Sequence, residues 1–236
     1  MSYEKFHRFY DPVMGDRSAA ASYIADLIDH YRPGTRTVLE VACGTGAILG
    51  LLSQNYEVTG LDRSRKMLAI ARRKLPRTKL FCQDMTKFAI SEKFGAVVCV
   101  YDSINHLLRF SDWRRVFKRV SFHLEKDGIF ILDVNTIGKL RWLVYGEPWV
   151  KQLGRDLVVI NVTTGRRRRF HWHVKVFEHR RRDTYRLHAE TIAELAVPMK
   201  RISAVLNGLF TKVHVIDPEN RRPSDRSQRL YFVCRK

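Results

Sequence analysis

Four places along this chain bring together residue types that could do chemistry. The first is Val38-Leu39-Glu40-Val41-Ala42-Cys43-Gly44-Thr45-Gly46, a carboxylate followed by small residues at Ala42, Gly44 and Gly46. Small residues at that spacing let the chain reverse and a ligand approach the backbone. The backbone N–H groups and the next helix's N-terminus would then face the ligand. A dinucleotide fingerprint needs GxGxxG. Here the third glycine position holds Leu49, with Gly50 one residue late, which weakens a hydride-transfer reading. The second place is Asp62, about 20 residues on, where it can accept both hydroxyls of a ribose or cap the following helix. The third is His106 in Val100-Tyr101-Asp102-Ser103-Ile104-Asn105-His106-Leu107, an imidazole able to exchange a proton near neutral pH. The fourth is the segment holding His171 and His173 between the runs Arg166 to Arg169 and Arg180 to Arg182, with His188 just beyond the second run. Arg's planar fork suits phosphate. His171 and His173 share a strand face with His188 across from them, but alternation on a wet surface accounts for all three, and no metal is expected.

The elements that must position these residues alternate between two periods. Ser18 to Tyr31 has helical spacing, ended by Arg32-Pro33-Gly34 before the β-branched strand Thr37 to Val41. An apolar helix to Ser53, a strand from Glu57 to Leu61 and a helix capped by Ser64 and reaching Lys74 follow. That helix packs Met67, Leu68 and Ile70 inward and leaves Arg63, Arg65, Arg72 and Arg73 to solvent. Lys79 to Cys82, Ala96 to Val100 and Gly128 to Asp133 make three more strands, the last two separated by a helix over Ser111 to Leu124. Strand runs too continuous for a one-sided sheet, alternating with helices, mean a doubly wound parallel sheet with its ligand site at the strands' carboxyl ends. After Asn135 the period becomes two: Phe170 to Phe177 and Tyr185 to Ala189 form a hairpin, joined by Asp156 to Thr163. Pro198 to Leu209 is a helix, and Thr211 to Ile216 and Arg229 to Val233 are strands.

In 236 residues, 45% hydrophobic and 28% charged, there is room for one full core with an appended subdomain. No stretch approaches the roughly 20 apolar residues of a membrane span, and the start lacks a secretory apolar run, so a cytoplasmic location and no membrane partner are expected. Cys43, Cys82, Cys99 and Cys234 fall singly, as reduced packing residues do.

In order, VLEVACGTG, LDRS with Met67, FCQDM, VYDSINHL and GIFILDVN resemble the successive strand-end motifs of class I S-adenosylmethionine-dependent methyltransferases, over about Phe9 to Asn135. The resemblance implies an α/β fold: a doubly wound Rossmann-like sheet with a small antiparallel β insertion after the fifth strand. It also implies S-adenosylmethionine as cofactor. Glu40 would hold its amino group, Ala42, Gly44 and Gly46 its amino-acid tail, and Asp62 its ribose. Asp84 and Met85 would flank the adenine, with Tyr10, Arg63, Met67 and Tyr101 completing the cofactor set. Most members carry glycine where this chain has Ala42. Tyr10-Asp11, the ACGTG loop and the inserted sheet are most similar to the nucleotide-linked amino-sugar N-methyltransferases. Those enzymes continue with Glu-Pro-Trp-Trp where this chain has Asp133-Val134-Asn135-Thr136.

Methyl transfer is a one-step in-line displacement in which positioning at about 3 to 3.5 Å does most of the work. An amine acceptor must also lose a proton, which suits a histidine or a tyrosinate-like partner. His106 is the first choice of base, and some amino-sugar enzymes carry histidine at the matching position. Tyr10 would orient substrate through its hydroxyl, and Asp102, Asn135, Arg169 and Trp172 are candidate substrate contacts. The resulting division is 1–138 for the cofactor-binding core, 139–195 for an inserted sheet covering substrate, and 196–236 for a helix and two strands completing the core sheet.

The net charge of +19 calls for an anionic partner. Residues 1–138 hold 21 Lys and Arg against 15 Asp and Glu, giving +6, whereas 139–236 hold 22 against 9, giving +13. The excess therefore sits in the part expected to meet the acceptor. That favours an amine or hydroxyl of a small phosphate-bearing metabolite. The alternatives are a tRNA or rRNA methyltransferase, favoured by the charge and by aromatic interleaving at Phe170 and Trp172, and a cofactor-binding protein without turnover. The oligomeric state is left open.

Overall fold

The structure is a computed structural model that describes residues 6–219 and 222–236. The first five residues, part of the reading of the chain's start, lie outside them. A short helix α1 (Tyr10–Met14) precedes α2 (Ser18–Tyr31), and the βα alternation then runs as expected: β1 (Thr37–Val41), α3 (Ala47–Leu52), β2 (Glu57–Asp62), α4 (Arg65–Lys74), β3 (Lys79–Cys82), β4 (Phe94–Cys99), α5 (Phe110–His123) and β5 (Leu124–Asn135). With α7 (Met199–Asn207), β10 (Lys212–Ile216) and β11 (Arg229–Arg235), the strands form one seven-stranded sheet in the order β10-β11-β5-β4-β1-β2-β3. β1, β2, β3, β4 and β5 pair in parallel, whereas β11 runs antiparallel to both β5 and β10.

Local chemistry explains the elements that hold the site. The Ser64 hydroxyl accepts the Met67 N–H and starts α4, which leaves Asp62 and Arg63 on the strand-to-helix loop. β1 is buried at Val38, Leu39, Glu40 and Val41, as a central strand covered by helices on both faces must be. On one side Trp113 and Phe117 of α5 pack over Val97 and Phe130, and on the other Ile24 and Ile28 of α2 cover Val38 and Val98. Cys43, Cys99 and Cys234 are buried free thiols, while Cys82 is exposed rather than packed.

The segment after Asn135 corrects the period-two expectation. Thr136 accepts the Lys139 N–H and opens α6 (Ile137–Tyr145). Ile137, Leu140, Leu143 and Val144 then face the inserted sheet, at helical spacing hidden in a stretch only nine residues long. An unanticipated edge strand β6 (Trp149–Leu153) precedes β7 (Asp156–Thr164), β8 (Arg169–His179) and β9 (Tyr185–Leu195), an antiparallel sheet in the order β6-β7-β8-β9. Its apolar face is covered by Phe6, Phe9 and Val13 at one end and by α6 at the other. His188 stands opposite Val176, and Ala189 opposite Lys175. Strand alternation therefore puts His188 on the opposite face from His171 and His173, where it meets Glu178 at 2.6 Å. His173 instead lies between the hydroxyls of Thr163 and Thr191.

Candidate active site

A cleft of about 760 Å³ opens beyond the carboxyl ends of β1, β2, β3 and β4. It is lined by Tyr10, Ala42, Gly44, Asp62, Arg63, Met67, Asp84, Met85, Tyr101 and His106. A smaller pocket of about 350 Å³ shares Tyr10, Ala42, Gly44 and Tyr101 with it and reaches Glu40 and Arg17. Gly46 is turned away from the main cleft: a Cβ there would stand 3.0 Å from Leu75 Cδ1, whereas one on Gly44 would meet nothing within 4 Å.

The loop after β1 passes through the left-handed region at Ala42, Gly44 and Gly46, with φ of 61°, 54° and 74°. The one residue there with a side chain, Ala42, carries strain of about 1 kcal/mol. Asp62 ties the loop down: its Oδ2 accepts the Gly44 N–H at 2.9 Å and its Oδ1 the Ser64 N–H at 2.7 Å. Burial raises the Asp62 pKa despite those two bonds. Glu40 lies deeper, 4% exposed, with no hydrogen-bond partner for its buried Oε2 among the described residues. Burial, and then the Asp62 charge, push its pKa up to about 8. Arg17, which nothing in the sequence flagged, stacks its guanidinium 3.9 Å from the centre of the Tyr101 ring, and its buried Nη2 likewise lacks a partner. Asp84 forms a tight turn with Thr86, accepting its N–H and hydroxyl at 2.8 and 2.7 Å. Burial holds the Tyr10 hydroxyl well above its ordinary pKa, which makes it a phenol at neutral pH and removes the tyrosinate option.

Past β4 the chain turns through Tyr101 and Asp102 at φ 56° and 49° into a 3-10 turn, Ser103–His106. The Asp133 carboxylate accepts the backbone N–H groups of Tyr101 and Asp102. The turn exposes His106 to the cleft and sends Asp102 the other way, to pair with Arg229 Nη2 at 2.6 Å. Asn135 is 2% exposed and bonded to Asn105 and Glu194. Neither residue is among those lining the cleft. Trp172 packs inward with Tyr10 and the α6 cluster, and Arg169 donates from Nη2 to the Leu108 carbonyl at 3.5 Å. Gln83, Ser103 and Leu107 also line the cleft without having been anticipated; all three follow strand ends, which was the available signal.

Residues 38–128 match the family described as a methyltransferase domain. A Geobacillus sp. (strain WCH70) protein named only as a methyltransferase is 34% identical over 148 residues, 59% of this chain and 60% of that one. A Streptomyces fradiae dTDP-3-amino-3,6-dideoxy-alpha-D-glucopyranose N,N-dimethyltransferase is 35% identical over 119 residues, 50% of this chain and 47% of that one. The chain thus spans about half to three-fifths of the length of these relatives. Among solved structures, a Clostridium acetobutylicum S-adenosylmethionine-dependent methyltransferase superposes with a TM-score of 0.84 at 23% identity, over 100% of this chain and 99% of that one. Streptomyces venezuelae DesVI does so with 0.82 at 23% identity, over 99% and 98%. Residues 38–128 of this chain make up a methyltransferase domain.

The cofactor of the methyltransferase domain, S-adenosylmethionine, matches the cleft by its chemistry. An α-amino acid presents one ammonium and one carboxylate, and the smaller pocket holds one buried acid oxygen, Glu40 Oε2, and one buried guanidinium nitrogen, Arg17 Nη2, both without partners among the described residues. Asp62, which closes β2, lines the main cleft together with Asp84 and Met85. No helix among the described residues is long and apolar enough to cross a membrane.

Proposed function

We propose that the protein methylates an amine on a small sugar-type metabolite that carries negative charge. His106 takes up the amine's proton, and Tyr10, as a phenol, orients the acceptor. When bound, the cofactor supplies a methyl group activated on a sulfonium. The observation that carries this reading is the placement of His106 in the cleft with Tyr10 and Tyr101. Burial lowers its pKa while the Asp102 charge opposes that effect, which keeps the imidazole neutral and able to accept a proton near neutral pH. The amino-sugar class is supported by the S. fradiae relative. The negative charge is supported by the +13 carried by residues 139–236.

In this reading Glu40, Arg17 and the Gly44 backbone hold the amino-acid tail, Asp62 the ribose, and Asp84, Met85 and Met67 the adenine, with Arg63 on the exposed rim. Residues 1–138 and 196–236 form the cofactor domain, and 139–195 cover the acceptor. An RNA acceptor keeps the basic charge in its favour but not the aromatic interleaving: Phe170 and Trp172 pack against α6 and offer no stacking platform. The test combines calorimetry with S-adenosylmethionine and mass spectrometry over a panel of amino sugars, free and nucleotide-linked. Cofactor binding with methylation of an amino sugar, lost in His106→Ala, is expected; absence of cofactor binding sinks the reading.

A further inference from the structure

His106 is backed by charged groups from several elements. Asp102 precedes it on the same turn, and Glu194 arrives at the end of β9. One oxygen of each acid and a ring nitrogen of His106 lie within 4.8 Å of one another. Behind them Arg229 of β11 pairs with Asp102 and with Asp133 of β5, each at 2.6 Å, and Lys139 of α6 adds a second cation. From the cleft side Arg63 and Asp62 act on the imidazole, and β9 supplies a backbone hydrogen bond at Ala193. β9 is fastened to the turn by Asn105, whose Nδ2 donates to the Leu195 carbonyl at 3.1 Å.

Glu194 is 2% exposed, and its Oε2 accepts the Asn135 Nδ2–H at 3.1 Å. One of its carboxyl oxygens lies within 4.8 Å of a carboxyl oxygen of Asp102. Two acids this close do not both ionise readily, and Asp102 is the one in contact with the guanidinium, so a proton held between them belongs on Glu194. The electrostatics agree: burial, and then the Asp102 charge, hold Glu194 well above the ordinary carboxyl range. Burial works against the Asp102 charge too, but Arg229 and then His106 outweigh it and hold Asp102 below that range.

We propose that Glu194 is a positioning residue for His106, a neutral carboxyl that donates a hydrogen bond to the Asp102 carboxylate and fixes that charge against the imidazole. The base is then complete only when β9 sits on the Ser103–His106 turn, which gives the inserted sheet a part in the chemistry as well as in covering the acceptor. The inference rests on His106 being the base, but its test reads the ring directly and needs no acceptor. A protein that methylates no amine while its His106 responds as described would sink the proposed function and leave this inference standing.

The test is an NMR titration of His106, assigned through His106→Gln, in the wild type, Glu194→Gln and Glu194→Ala proteins with S-adenosylhomocysteine added. Glutamine keeps a donor toward Asp102 and an acceptor toward Asn135, so the His106 pKa should stay within about 0.2 of the wild type; alanine frees Asp102 and should lower it by about half a unit or more. Equal lowering in both variants would mean that Glu194 acts through negative charge, and no change in either would mean that it does not act on His106; each overturns the proposal. Should the alanine variant not fold, a wild type minus Glu194→Gln infrared difference spectrum at neutral pH decides. Loss of a carboxylic acid C=O band supports the neutral carboxyl, and loss of carboxylate bands alone overturns it.

Discussion

Asp62 Oδ2 accepts the Gly44 backbone N–H at 2.9 Å, so the acid that ends β2 holds the glycine loop that follows β1. The residue expected to meet the ribose is thus also the one that shapes the loop lining the smaller pocket. Asp62→Ala removes both roles, and charged hydrogen bonds are worth about 1.5–3 kcal/mol each. Calorimetry should therefore show S-adenosylmethionine affinity reduced by about 100-fold or more. Asp62→Asn keeps one acceptor oxygen and should lose less; equal losses in the two variants would rule out the anchoring role.

Glu40 gives a pH signature. Its pKa in the folded protein is about 8, raised by burial and by Asp62 from an ordinary value of 4.5. With a raised folded value, its contribution to stability is fully present below pH 4.5 and is lost as pH rises through about 8. Glu40→Gln should flatten that decline in denaturant titrations of the free protein, by an amount on the order of a few kcal/mol. An ammonium group prefers the carboxylate, so cofactor binding between pH 5 and 8 should release a proton from Glu40. Calorimetry in buffers of different ionisation enthalpy should detect that release in the wild type and not in Glu40→Gln.

Arg229 joins Asp102 and Asp133 under the Tyr101-Asp102 turn. Arg229→Met leaves two buried carboxylates without their cation, and breaking such a pair costs about 3–5 kcal/mol. For a chain of this size, that corresponds to a fall in melting temperature of about 10 °C. Once unpaired, the acids favour their protonated forms in the folded state, so the loss should be larger at pH 8 than at pH 5. A loss that does not grow with pH would show that the pair is not electrostatically important.

What could be read from the sequence follows from range. Ser18–Tyr31, Thr37–Val41 and the Ser64 cap are local patterns, and Asp62, Asp84 and His106 could be placed beside the cleft because each lies at or past the carboxyl end of a strand. α6 escaped because a nine-residue helix containing Gly138 has too few turns to show its period. Asp102 was read as facing the acceptor because its left-handed backbone, which reverses its direction, depends on two bonds to Asp133, 31 residues away. Arg229 and Glu194 lie 127 and 92 positions beyond Asp102, and no local pattern connects them. Alternation puts Trp172 on one strand face with Phe170, but it gives two faces of a strand without saying which one another element covers.

The three left-handed positions of the loop after β1 have separable roles, and small substitutions should separate them. Ala42→Gly relieves a side chain at φ 61°; the gain of about 1 kcal/mol should raise the melting temperature by about 2–4 °C with cofactor affinity unchanged. Gly46→Ala places a methyl 3.0 Å from Leu75 Cδ1 and 3.2 Å from the Ala71 Cβ, at φ 74°. It should therefore destabilise the fold by about 1–3 kcal/mol through overpacking against α4 and strain. Gly44→Ala meets no protein atom within 4 Å and lines the cleft, so its methyl occupies space meant for the ligand. Its cost to stability is the left-handed strain of about 1–2 kcal/mol, while its cost to S-adenosylmethionine affinity should exceed that of Gly46→Ala by about tenfold. Melting curves with and without S-adenosylhomocysteine measure both quantities at once. Equal affinity losses in the two variants would mean that Gly44 does not face the cofactor.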